Sequence, residues 1–331
     1  MTRKEDSRIL GIVHPICCGL DVHKEKVSAC VISSDRKGNE QIVIKEFETF
    51  TDDLIDLRGW LLDLGCPVTA VESTGIYWRP VYNILEGYMR VVLVNAREIK
   101  NVPGRKTDIA DSKWLAGLLR YGLLRGSFIP EIEVRQWRDL TRLRKKYVLS
   151  IGDYKRRTQK LFESANIKVD SVVSDLFGVT GRNLMNLLSS NRQAITQEEV
   201  ASCVRGKLKG KEDELYRSIQ GFFTEHHRFL LKTLLRTIQS LESDVARLEK
   251  RISVAMKPTD DIADRLQKIP GISETASHDI LSELGPNLAT FSNASSLASW
   301  AGLCPGNNES AGKRKSGRSP VRKHHLKTIM V

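Results

Sequence analysis

The chain has 331 residues, 40% hydrophobic and 28% charged, and its 52 Lys and Arg against 40 Asp and Glu give a formal net charge of +12. This composition fits a soluble protein of two or three domains with real cores, and the basic excess points to a polyanionic partner such as nucleic acid. No apolar run reaches the ~18–20 residues that span a bilayer, and MTRKEDSRIL lacks the apolar stretch of a signal peptide.

Residues 16–22 read as a strand, 27–33 as its hairpin partner, and 41–47, alternating with period two, as a third strand. Leu54, Leu57, Leu61 and Leu64 keep helical spacing across 51–64. PVTAVE (67–72) is a short buried strand, 79–87 a helix, and MRVVLVN (89–95) another buried strand. GRKTDIADSKWLAGLL (104–119) supplies a helix on the spacing of Trp114, Leu115, Leu118 and Leu119. Three strands followed by alternation predict an α/β domain over 1–130, a mixed sheet covered by helices. The six cysteines form no CxxC pair, which argues against zinc, and three of them sit in apolar strand-like runs as buried thiols of a cytoplasmic protein.

An all-α remainder follows. A basic helical stretch over 133–165, including Arg142, Lys145, Lys146, Arg156 and Arg157, has a narrow apolar face of Leu140, Leu143, Tyr147 and Ile151. A solvated charged face is the ordinary explanation, but nearly all the charge has one sign, which favours nucleic-acid contact. We assign 131–221 to this basic linker region. Leu231, Leu234, Ile238, Leu241, Val245, Leu248 and Ile252 are spaced 3-4-3-4-3-4, the seam of a coiled-coil arm over 222–258. The seam can close against 135–165 within the chain or join two protomers, and we expect the latter. In the final segment, 259–331, helical turns flank Pro270–Gly271 as in a helix-hairpin-helix, whose amides, Gly271 among them, can grip a phosphate. Residues 296–325, rich in Gly, Ser and Asn and then in Lys and Arg, read as a mobile loop, and an amphipathic helix begins near the last residues.

Asp108 and Asp111 lie three apart, on one face of a helix's first turns, with Cβ atoms roughly 5–6 Å apart. Acids there interact well with the helix dipole, and this alone can account for them. Two further acids sit on strands: Asp21 in GLDVHKEKV and Glu72 at the end of PVTAVE. If their strands are neighbours, four carboxylates converge. Like charges about 4 Å apart cost roughly 4 kcal/mol per pair at an effective dielectric of 20, a conflict that divalent cations remove. Oxygen ligands suit Mg2+ or Mn2+, and two such ions can clamp a phosphodiester.

GLDVHKEKVSACV, VESTGIYWRPV, GRKTDIADSKWLAGLL and LASWAGLCPGNNESAGKRKSG, in that order and spacing, resemble the DEDD-type insertion-sequence transposases, relatives of the Piv-type DNA invertases. The likeness runs from about residue 16 to 328. It implies a RuvC-like N-terminal domain of ribonuclease H fold and a D-E-D-D metal tetrad at Asp21, Glu72, Asp108 and Asp111. It also implies a nucleophilic serine at Ser310, in the context Pro305, Ser310, Gly312, Lys313. Recombination would then run through a covalent phosphoserine link to DNA. The family's partners are DNA at the element ends and target, a structured guide RNA, and further protomers in a dimer or tetramer; its setting is the prokaryotic cytoplasm, at the nucleoid. Arg105, Lys106, Lys313 and Arg314 are further candidate nucleic-acid contacts. Family members continue with more helices past the serine motif, so the resemblance implies a shortened C-terminal domain here. Two other functions remain open: a RuvC-like nuclease that cuts branched DNA with water, and a nucleic-acid-binding protein with an idle tetrad.

Overall fold

The computed structural model describes residues 11–34, 39–73, 75–95, 111–190, 195–289, 291–304, 308–310, 313–316 and 325–330. The chain divides into two units, Met1–Ile129 and Pro130–Val331.

The first unit contains β1 (Cys17–Val22), β2 (Lys26–Ser34), β3 (Glu40–Glu48), α1 (Thr51–Asp63), β4 (Val68–Glu72), α2 (Trp78–Leu85), β5 (Arg90–Val94) and α3 (Asp111–Arg120). Its sheet has the order β3-β2-β1-β4-β5. β1 runs antiparallel to β2, and β2 to β3; β1 with β4 and β4 with β5 are parallel. This mixed sheet with its helices fits the ribonuclease H-like domain that the sequence resemblance implies.

Alternation along the strands divides the side chains between two faces. Cys18, Leu20, Val22, Val27, Ala29, Val31, Val71 and Leu93 pack with Leu54, Leu57 and Leu61 of α1 and with Val81 and Leu85 of α2. On the other face Cys17, Cys30, Ile32, Val68, Ala70, Val92 and Val94 pack with Leu115, Ala116 and Leu119 of α3. All six cysteines of the chain are free thiols; five are buried and Cys304 is half-buried. Burial pushes the Cys17 thiol up to about 12 and Cys30 to about 11.

The second unit is built on two long helices, α4 (Ile132–Ser164) and, after the short α5 (Val179–Ser189), α6 (Gln197–Cys203) and α7 (Glu212–Ser218), α8 (Glu225–Met256). Thr224 caps α8 in a reciprocal box with His227. The two long helices pack together: Val134 and Trp137 at the start of α4 meet Ile252 and Met256 at the end of α8. Phe162 at the far end of α4 shares a core with Leu231 and Ile238 of α8 and with Leu184, Met185, Val200 and Leu215 of the short helices.

The heptad seam is therefore occupied within the chain at both ends. Leu231, Ile238 and Ile252 are buried, and the positions between them are half-buried. The apolar face of α4 is broader than expected: Leu140 and Ile151 pack against the two cores and Tyr147 is half-buried, but further residues are more deeply buried. Val134, Trp137, Thr141, Arg144, Thr158 and Phe162 are buried, whereas Leu143 is exposed. The reason is that α4 serves two neighbours, and polar residues fill the side that meets the second.

That neighbour is α10 (Glu274–Leu284), which follows α9 (Asp260–Gln267) after a turn with Gly271 at φ 90°. Next come α11 (Ala294–Trp300), β6 (Asn308–Ser310), β7 (Lys313–Ser316) and α12 (His325–Met330). The mobile loop expected over 296–325 is thus partly regular: its first residues are helical, and β6 pairs antiparallel with β7, Ser310 opposite Lys313. Ala311 and Gly312 separate the strands, the two-residue spacing that hairpins favour.

Candidate active site

The α3 face of the first unit carries two of the expected carboxylates. β1 and β4 are neighbours, registered Gly19 to Ala70 and Leu20 to Val71, so Asp21 and Glu72 follow side by side at the strand ends. Cys17 and Gly19 share a face with Asp21, and Val68 and Ala70 with Glu72; that face is the one α3 covers. Both acids are half-buried.

Gly19 explains how close α3 comes. A Cβ there would lie 2.1 Å from the Ser112 carbonyl oxygen and 2.4 Å from the Ala116 nitrogen. Only a glycine admits the helix backbone to that distance. The Ser112 hydroxyl lies 3.2 Å from that of Ser28, and Ser28 is the register partner of Asp21. Helix α3 is described from Asp111, a half-buried acid one residue before Ser112.

Asp21 Oδ2 lies 3.1 Å from Nε2 of His23, an exposed ring just past β1. His23 was absent from the residues singled out in the sequence; its signal was there, since positions 21 and 23 share a strand face. Asp108, Arg105 and Lys106 lie outside the described residues. Among the described residues, no group of three or more His, Cys, Asp or Glu side chains is arranged to hold a metal ion.

In the second unit, Ser310 ends β6, and Lys313 and Arg314 begin β7. Gly271, exposed, forms the turn before α10. The basic residues of α4 divide into two groups. Arg142 donates from Nε and Nη2 to the two carboxylate oxygens of Glu283, both at 2.9 Å. Arg144 Nη2 donates to both oxygens of Asp279 at 3.0 Å. Arg138 Nε lies 3.5 Å from Glu283 and donates to the Ser282 carbonyl at 2.9 Å.

Counting α4 charges as available to nucleic acid therefore overstates them: Arg142 is spent on α10. Burial alone would raise the Glu283 carboxyl, but the hydrogen bonds and charge of Arg142, with Arg138, hold it below the usual carboxylate range. Lys146 and Arg157 are exposed, Lys145 is half-buried, and Arg156 pairs with Asp153 one turn back.

Two family profiles match the chain in the order expected of one protein. One, described as "Transposase" under the heading DEDD_Tnp_IS110, matches residues 18–167. The other, "Transposase IS116/IS110/IS902 family", matches 263–331, and together they span about two thirds of the sequence. The chain belongs to the IS110-type insertion-sequence transposases. No curated protein matches this transposase.

Among solved structures, Thermus thermophilus RuvC is similar at 13% identity with a TM-score of 0.26, over 34% of this chain and 99% of that chain. The fowlpox virus Holliday junction resolvase is similar at 11% identity and TM-score 0.21, over 24% of this chain and 60% of that one. The fowlpox virus resolvase in complex with Holliday junction DNA gives 14%, 0.21, 27% and 64% for the same quantities. Among the described residues of this transposase, no helix is long and apolar enough to cross a membrane.

Proposed function

We propose that this chain cuts and rejoins DNA as the transposase of an insertion sequence, with Ser310 as nucleophile and Asp21, Glu72, Asp108 and Asp111 as a divalent-metal tetrad. The observation that carries the reading is the placement of Asp21 and Glu72. They end adjacent parallel strands on one face, the face that α3, described from Asp111, covers.

The donor chemistry of this set fits a hard divalent cation such as Mg2+, since every candidate ligand is a carboxylate oxygen. The three described acids do not close into a metal-holding group on their own, and Asp108 is the fourth member. When bound, such an ion supplies positive charge that stabilises the oxyanions of phosphoryl transfer.

The remaining steps belong to the chain's own groups. The Ser310 hydroxyl gives up its proton to solvent, its oxygen bonds to the DNA phosphorus, and the strand oxygen leaves with the electron pair of the broken P–O bond and takes up a proton from solvent to become a hydroxyl. Rejoining is the reverse exchange: a strand hydroxyl attacks the phosphoserine and frees the serine. Lys313 and Arg314, in the strand paired with the one Ser310 ends, supply charge to draw in the phosphate. DNA, and a structured guide RNA, are held through phosphates by Lys145, Lys146 and Arg157 of α4, with Gly271 at the turn before α10 contributing a backbone amide.

The test is a denaturing gel after incubation with element-end DNA, guide RNA and Mg2+. A protein–DNA adduct that disappears in Ser310→Ala but persists in Ser316→Ala supports the proposal. Free cut ends without an adduct favour attack by water, and uncut DNA favours a binding protein with an idle tetrad.

A further inference from the structure

Glu283 is only 2% exposed, and two guanidiniums close on its carboxylate. Taking such a group out of water costs several kcal/mol, and a buried ion pair often does no better than an apolar pair of the same volume. Its contribution to stability therefore gives a weak account of why it is there. What a buried ion pair does supply is direction. Arg138 and Arg142, one turn apart on α4, both grip Glu283; Thr141, between them, places its hydroxyl 2.9 Å from that of Ser282; and Arg144 takes Asp279 one turn earlier on α10. A helix seated on apolar contacts alone can slide or turn by part of a residue. These contacts admit one register of α10 on α4.

The other side of α10 packs the helices that flank the Ser310 segment in sequence. Ile280 and Leu284 form a small core with Ala301, just after α11, and with Leu326 in α12. Trp300 and Ile329 pack against the same core. The β6–β7 hairpin lies in sequence between Ala301 and Leu326, and both of these residues are seated on α10. Beside Leu326, His325 lines a cavity of about 10 Å³ with Glu283, Arg142 and Lys145. The groups facing Glu283 are thus Arg138, Arg142 and Lys145 from α4, His325 from α12, and Asp279 on its own helix.

We infer that Glu283 is a positioning residue: clamped by Arg138 and Arg142, it fixes α10 as the platform that sets where the hairpin bearing Ser310 stands. The inference rests on the proposed role of Ser310 for its effect on reaction, and on the packing alone for its effect on the hairpin.

The test uses the full chain with DNA, guide RNA and Mg2+, comparing the unmodified protein with Glu283→Gln and the milder Arg138→Lys. Amide hydrogen exchange is followed over 308–316 and 325–330, with 225–240 as internal reference. The expected result is faster exchange over 308–316 in Glu283→Gln, by about tenfold more than any rise in the reference. Adduct formation should slow by up to about 10²-fold at saturating DNA, the scale of a misplacement near 1 Å, while the DNA Kd stays within about twofold. Unchanged exchange over 308–316 in both variants overturns the inference, as does a rise there no greater than that of the reference, which marks a merely structural role. If Glu283→Gln does not fold, Arg138→Lys decides on the same readout. An unmodified protein that forms no adduct sinks the Ser310 reading, and the exchange comparison still judges the platform.

Discussion

The two units treat their buried acids in opposite ways. In the second, Glu283 and Asp279 meet guanidiniums at hydrogen-bond distance, and the charges are settled inside the protein. In the first, Asp21 and Glu72 are brought to one end of a sheet, on the face that α3 covers. Asp21 keeps 25% of its side chain exposed, and its hydrogen-bond partner is the exposed His23. Carboxylates paired with arginines are neutralised inside the protein, whereas the proposed site leaves its carboxylates at a reachable edge for an external cation to complete.

The sharpest way to break this contrast is to remove one acid from each unit. Asp21→Ala should lower DNA cleavage by roughly 10³-fold, on the scale of losing a transition-state-stabilising group, with thermal stability nearly unchanged. Residual cleavage near the unmodified rate would place the chemistry elsewhere. Glu283→Ala should do the reverse in stability, costing about 3–5 kcal/mol because two guanidiniums lose their carboxylate. Urea unfolding of the full chain measures that loss.

The pH dependence sharpens the same point. The folded Glu283 carboxyl sits below its unfolded value, so its stabilisation is full above the unfolded pKa of about 4.3 and fades as pH falls through the lower folded value. His325, lowered by burial and by the charge of Arg142, also resists protonation, so folding weakens further as pH drops below about 6.5. Asp279, raised by burial against the pull of Arg144, acts in the opposite sense. A melting-temperature profile against pH should therefore fall on the acid side, and Glu283→Gln should lack the lowest limb.

A smaller effect is expected at Gly19. The methyl of Gly19→Ala meets the α3 backbone and should cost about 1–3 kcal/mol by overpacking. If α3 shifts to accommodate it, cleavage falls as well, which would tie Asp111 to the site. The smallest effect concerns α4. Changing Lys145, Lys146 and Arg157 to Gln should flatten the salt dependence of DNA binding by about one unit of slope per lost contact, whereas Arg142→Gln should leave that slope unchanged.

Much of the first unit was legible because alternation is a strong signal. The five strands and a helix through 111–119 follow from period-two and period-3.6 patterns, whereas the pairing of β1 with β4 that sets Asp21 beside Glu72 was only a condition until the sheet order was known. The approach of α3 to Gly19 was not legible, since a single glycine in a strand does not announce what lies over it. In the second unit the charges of α4 were visible but their partners were not. Glu283 lies 141 residues from Arg142, and counting signs along one helix cannot find it. The hairpin at 308–316 was hidden for a different reason: strands of three and four residues among glycines and lysines have too little alternation to read. Ser310 drew attention through family likeness, not through any local pattern.

The thiols offer an experimental handle. Five of the six are buried, and burial raises the pKa of each, that of Cys17 to about 12, so little reactive thiolate forms on them at neutral pH. Cys304 alone is half-buried, and it lies six positions before Ser310. A maleimide dye or spin label added to the native protein will therefore attach at Cys304, next to the hairpin. No cysteine has to be engineered out before that probe can report when the serine segment engages DNA.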